Sequence, residues 1–386
     1  MNKPLAIGLI IFFILVIAGG AIWLTMRPAE EPTTTERGTI LRFPFGLFGG
    51  GEEEPVTTTP TPTEEGEKPA LLLLDSGPIE SFTPTQKGVR YISKQNGHVS
   101  EIGPRGEEQT RVSNTTITGI FDSAWSPNAS KTVLRYLESG NTRTVSAEFV
   151  STSTRAVVLP QNIISFAFAP DRNRIAYLVP TSAGSRLIAA DPDNTKQTET
   201  TNLPFKDFDI FWPENNFVYF LSRPSGSAGG FLFRYSISAG TLDKILDNLA
   251  GLQIKFSADG QKLVYSAYDS QFRQPRLYVY NLKTKETANI QLLGLADKCV
   301  FSKNNQNKIY CGLDRNLPAS LYPDDWMRGA VSTNDLVWEI DSAGGQRKQL
   351  ADRGFDIEQV ALSEDGKFLY FTEKNNGSLW SLRIVN

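Results

Sequence analysis

Thiol and imidazole chemistry have little to work with in this chain, which holds two cysteines and a single histidine. His98, in Gly97-His98-Val99-Ser100, excludes multi-histidine metal sites and would have to serve any Ser/His or Cys/His pair alone. Cys299 and Cys311 flank a turn. If Phe301 pairs with Ile309, antiparallel counting sets 299 opposite 311, and opposed strand residues have Cα atoms ~4.5–5.5 Å apart, within disulfide reach. A disulfide is the expectation for an outward-facing domain; two buried thiols are the alternative. The chain contains no G-x-S-x-G elbow, no G-x-x-x-x-G-K-[ST] loop and no H-E-x-x-H pair. The glycine-rich run 225–230 follows a strand and opens no helix, so it reads as a loop. Asp191-Pro192-Asp193-Asn194 lacks the later Gly and Glu of a calcium loop and reads as a turn. No metal and no cofactor are expected.

The richest segment is 312–334, with Leu321-Tyr322-Pro323-Asp324-Asp325-Trp326-Met327-Arg328-Gly329 at its centre. Loops longer than ~12–15 residues are usually functional or disordered, and this one is too aromatic for disorder. Tyr322, Asp324, Asp325, Trp326 and Arg328 are candidate binding residues, because binding hot spots use aromatics and Arg. Phe272, Arg273 and Arg276, in a second loop at 269–276, join them. Tyr322 and Trp326 have an alternative role as a plug folded back on the domain. Paired carboxylates can do general acid and base work, so Asp324, Asp325 and Asp335 are the first acids to test for catalysis.

Three regions of unlike composition carry these residues. Residues 4–26 contain no charge, and at ~1.5 Å per residue a helix of that length crosses a hydrocarbon core of ~30 Å. The apolar run continues past Ala18-Gly19-Gly20-Ala21, which suits an uncut anchor better than a cleaved signal peptide. Residues 1–27 are thus expected to be a transmembrane anchor, N-terminus in. Residues 28–69 are Thr, Pro, Glu and Gly with a charge of −6, the composition of a disordered linker. An apolar island, Ile40 to Phe48, interrupts it and reads as a local cluster. Residues 70–386 carry +1 of a total charge of −3, which argues against a nucleic-acid partner.

That last region repeats. An aromatic or apolar residue followed by a turn occurs at Phe82, Trp125, Phe168, Phe211, Phe256, Phe301 and Leu362, with spacings of 43, 43, 43, 45, 45 and 61. A period in the low forties is the span of a four-stranded propeller blade. Runs rich in Tyr, Phe, Ile and Val follow each turn, and no long 3.6-residue period occurs, so the class is all-β. Seven repeats predict a seven-bladed β-propeller over 70–386. The chain ends one strand short, and Ala70-Leu71-Leu72-Leu73-Leu74-Asp75 is expected to complete the last blade as its outer strand, closing the ring. The Pro, Asp and Gly of each repeat serve the turn and are read as structural.

Lys255-Phe256-Ser257-Ala258-Asp259-Gly260-Gln261-Lys262-Leu263-Val264-Tyr265, Leu362-Ser363-Glu364-Asp365-Gly366 and Phe168-Ala169-Pro170-Asp171 resemble the F-S-P-D-G repeats of TolB-type propellers, also seen in the non-catalytic propellers of prolyl oligopeptidase-like enzymes. Blades one, four and six depart at the Asp or Gly positions. The whole layout resembles single-pass, membrane-anchored bacterial propeller proteins. The resemblance implies a module that binds proteins or accompanies other domains. The expected function is a binding or scaffold module for an envelope protein or glycan, on the outer side of the cell membrane, and not an enzyme. The alternatives are a polysaccharide-cleaving propeller and an accessory propeller of a separately encoded peptidase or transporter.

Overall fold

A computed structural model describes residues 70–150, 153–171, 173–343 and 346–384. The expected anchor, the linker and its apolar island lie outside the described residues. Among the described residues, no helix is long and apolar enough to cross a membrane.

The described residues form seven four-stranded antiparallel sheets, a seven-bladed β-propeller. Six blades use four consecutive strands each, over residues 79–113, 120–158, 165–203, 208–250, 253–293 and 299–349. Blade seven takes its first three strands from residues 357–383 and its fourth from Leu71–Asp75. Leu71 lies opposite Leu382 and Leu73 opposite Trp380. The first strands of neighbouring blades touch around the axis, as Ile79–Pro84 touches both Ile120–Trp125 and Ile357–Leu362.

The second strands explain why the pattern forms. A strand with one solvated face alternates apolar and polar residues, whereas a strand covered on both faces reads as a continuous apolar run. Lys308–Leu313 and Phe368–Glu373 are each buried at five of six positions. Neighbouring blades therefore cover both faces of these strands. Seven apolar clusters show it, each joining one blade to the next. Tyr219 and Leu221 of blade four pack with Ile254, Leu263 and Tyr265 of blade five. The circuit ends where Leu74, Phe368, Tyr370 and Leu379 of blade seven meet Ile79, Phe82, Val89 and Tyr91 of blade one.

The repeated turn residues hold the first hairpin. Ser257 Oγ accepts a bond from Lys262 N–H at 2.9 Å and donates to Asp259 Oδ1 at 2.7 Å. Ser363 repeats this with Phe368 N–H at 2.9 Å and Asp365 at 2.6 Å. Gly260 and Gly366 both sit at φ +70°, where a Cβ would be strained. In blade six, Cys299 faces Cys311 with Cα atoms 4.1 Å apart, and the two are joined by a disulfide.

Deleting 71–75 should lower the unfolding midpoint far more than deleting 52–67. The first deletion leaves Leu379–Arg383 without an outer partner and removes Leu74 from its cluster, and losing one such buried Leu costs ~2–5 kcal/mol. Equal midpoints for the two deletions would show that the strand adds nothing to the blade.

Candidate functional site

Loops joining second to third strands share one end of the propeller with the blade-to-blade connections. Blade six carries its insertion there, between Lys308–Leu313 and Leu336–Asp341. Asp314 closes its base by accepting a bond from Asn334 N–H at 2.8 Å. Inside lies a one-turn helix, Asp324–Met327, a local exception to the all-β reading.

Each acid of the helix has a structural partner. Asp325 accepts bonds from the Ser320 hydroxyl and, at 2.8 Å, from Leu321 N–H, and it pairs with Arg328. These bonds, the Ser320 hydroxyl first, hold its carboxyl down to about 2. Asp324 reaches across to blade four, accepting from Gly226 N–H at 2.6 Å and the Ser225 hydroxyl at 3.0 Å. A Cβ on Gly226 would lie 2.4 Å from the Tyr322 carbonyl oxygen, so the insertion can lie on this loop only because the residue is Gly. On blade five, Ser320 N–H donates to the Arg273 carbonyl at 3.0 Å, and Gln274 Nε2 donates to the Leu317 carbonyl at 2.7 Å. The insertion thus bridges the loops 222–230 and 269–276.

Its underside has its own apolar core of Leu295, Leu317, Tyr322 and Trp326. Beneath Trp326 sits a buried polar cluster. Lys298 is 1% exposed, and its Nζ lies 2.6 Å from Asp335 Oδ2, 3.0 Å from Asp356 Oδ1 and 2.6 Å from Thr333 Oγ1. Trp326 covers that Nζ at 4.5 Å from its ring centre and donates Nε1–H to Asp356 Oδ1 at 2.7 Å. Burial pushes the Asp335 carboxyl up, against the opposing pull of Lys298. Burial also acts to raise Asp356, but Lys298 and the bonds from Trp326 and Thr333 outweigh it and hold that carboxyl below the usual range. The Tyr322 hydroxyl, buried near four carboxylates, is pushed up and makes no hydrogen bond.

The candidate residues therefore divide. Tyr322 and Trp326 are 0% and 4% exposed, so of the two expected roles the structure shows the plug and not the contact anchor: they fill the space between the insertion and blade five. Asp324 and Asp325 tie loops together, and Asp335 is buried against Lys298, so the three do not form an open acid–base pair. Arg276 is held by Asp269 at 2.9 Å and lies under the Phe272 ring at 5.0 Å. Phe272 is 51% exposed and Arg273 and Arg328 are exposed, which makes them the surface of this face, with Met327 beside them.

Sequence reasoning passed over Lys298, Thr333 and Asp356, since nothing in the chain marks positions so far apart as neighbours. It also passed over four acids near the starts of inner strands and at the blade-six connection: Glu80, Asp122, Asp209 and Asp297. Asp209 is raised first by burial, with opposing help from Arg223, and also by the charges of Asp122 and Asp297 on other blades. Glu80, Asp122 and Asp209 share a place two or three residues into inner strands, which is a usable signal in the sequence. Cations accompany them: Lys94 stands 3.6 Å from Glu80, Arg135 pairs with Asp122, and Lys255 stands 4.0 Å from Asp297. Among the described residues, no group of His, Cys, Asp and Glu is arranged to hold a metal ion.

Trp326→Ala should lower stability by ~3–5 kcal/mol in thermal or denaturant unfolding, the usual cost of emptying a buried aromatic site. Tyr322→Phe should cost nothing, because the lost hydroxyl has no partner. An unchanged midpoint for Trp326→Ala would contradict the packing described. Acid titration gives a second check. The folded carboxyl of Asp325 is held down to about 2 against 3.8 ordinarily, so the stability it contributes is present above about 4 and is lost as pH falls through about 2. Asp325→Asn should flatten the stability profile in that window, and an identical acid limb would contradict the assignment.

No protein-family model matches the chain, and no characterised protein matches it by sequence. Its structure is similar to that of the GH74 enzyme from Niastella koreensis at 13% identity and TM-score 0.56, over 80% of this chain and 53% of that one. It is similar to oligogalacturonate lyase from Vibrio parahaemolyticus at 10% identity and TM-score 0.55, over 82% and 92% of the two chains. It is also similar to TolB from Acinetobacter baumannii at 15% identity and TM-score 0.46, over 73% of this chain, which spans 65% of the length of TolB. At these identities the likeness is one of fold alone, that of a β-propeller.

Proposed function

We propose that the chain is a membrane-anchored, extracytoplasmic β-propeller that binds an envelope protein or glycan, its ring closed by Leu71–Asp75. The observation that carries this reading is the loop face of blades four to six. There Asp324 and Asp325 hold the insertion rigidly while Phe272, Arg273, Met327 and Arg328 stay exposed. Aromatics and Arg on a pre-organised surface are what binding hot spots use, and rigidity lowers the entropy lost on association. Ala70 lies beside Arg383, at the other end of blade seven from these loops.

The test is crosslinking and capture from the cell envelope with the full chain and with the double variant Phe272→Ala/Arg273→Ala. The variant should fold normally and lose about tenfold or more in capture, since hot-spot truncations cost ~2 kcal/mol or more. Capture that is unchanged would move the binding site elsewhere. Products released from a polysaccharide would replace the scaffold reading by an enzymatic one. Capture of a peptidase or transporter would make the chain an accessory propeller. Protease added to intact cells should release a propeller-sized fragment by cutting the linker, and cleavage only after lysis would reverse the orientation.

A further inference from the structure

We infer that Lys298 and Asp335 join in an intramolecular amide crosslink, with Asp356 as the carboxylate that moves the protons.

The three groups meet from three distant points of the chain. Lys298 ends the short 3-10 turn before blade six, Asp335 precedes the third strand of that blade, and Asp356 precedes the first strand of blade seven. All three are no more than 2% exposed. Nζ stands closer to Asp335 Oδ2, at 2.6 Å, than to Asp356 Oδ1, at 3.0 Å. Reacting groups held this close in a dry site have already met the entropy cost of encounter. Trp326 and Tyr322 keep bulk water out of the cluster.

The division of labour follows from the partners of each carboxylate. Asp335 Oδ2 accepts a bond from Ile357 N–H at 3.0 Å, a fixed donor on the oxygen where charge gathers as Nζ adds to Cγ. Asp356 is held through Oδ1, by Trp326 Nε1–H at 2.7 Å and the Thr333 hydroxyl at 2.9 Å. Its Oδ2 is buried and has no hydrogen-bond partner, so it is open to a proton. The opposite displacement of the two carboxyls agrees with this: burial favours the neutral acid at Asp335, while Lys298 and Trp326 favour the carboxylate at Asp356.

The reaction balances without an outside reagent. The Lys298 ammonium gives one proton to Asp356. The freed amine attacks Asp335 Cγ, so that the Nζ–Cγ bond forms and a Cγ–O bond breaks. The hydroxyl of neutral Asp335 leaves as water with a second proton from Nζ. The amide keeps the third proton, and Asp356 ends as a neutral acid. A buried ammonium and carboxylate are thereby replaced by neutral groups, and buried charge is costly even when paired.

Mass spectrometry of the intact chain, with the disulfide reduced, decides. The mass should fall short of the sequence mass by one water, and proteolysis should yield a branched peptide linking Lys298 to Asp335. A full-mass chain, or a water loss mapped to any other pair, would overturn the crosslink. Asp356→Asn keeps the size of the side chain and its bond to Trp326. It should restore the full mass, and a variant that still carries the branched peptide would overturn the role of Asp356. The wild-type measurement stands whether or not that variant folds.

Discussion

Everything in this domain depends on each blade burying both its faces against its neighbours. A single four-stranded sheet has two apolar faces here and no internal partner for either. Val264 and Leu277 of blade five pack on Phe301 and Ile309 of blade six, and Tyr310 and Val337 of blade six pack on Ile357 and Leu369 of blade seven. The same constraint accounts for the continuous apolar second strands, which an exposed sheet would not tolerate. It also explains the position of Leu71–Asp75. Blade seven needs a fourth strand, and Leu71, Leu72, Leu73 and Asp75, paired with the third strand, supply it from the other end of the described chain.

Within that ring, blade six differs because its insertion brings polar groups into a place that packing has dried. Tyr322 and Trp326 look outward in composition and face inward in structure. They cover Lys298, and Lys298 in turn draws Asp335, Asp356 and Thr333 around it. Polar side chains buried together must satisfy one another, and here most do, through bonds of 2.6–3.0 Å. The exposed side of the insertion is simpler. Acids at its helix serve as tethers to neighbouring loops, which leaves Phe272, Arg273, Met327 and Arg328 as the groups able to meet another molecule. The contrast between a crowded polar underside and a sparse upper surface separates the proposed crosslink from the proposed binding face.

The residues themselves determined the blade count, the turn chemistry and the Cys299–Cys311 alignment. All three depend on local spacing. A turn is built from residues a few positions apart, and a hairpin register set by Phe301 and Ile309 carries Cys299 to Cys311. Blade repetition is legible because each repeat meets the same surroundings. What only the tertiary structure decided is which way the aromatics of the insertion face, and which distant residues stand beside Lys298. Asp335 and Asp356 are brought together by the bridge between Asp335 and Phe355, a pairing across two blades that no period in the chain announces. The physical reason is that strand and turn preferences act over a few residues, whereas the burial of Trp326 over Lys298 exists only once the ring has put blades five, six and seven side by side.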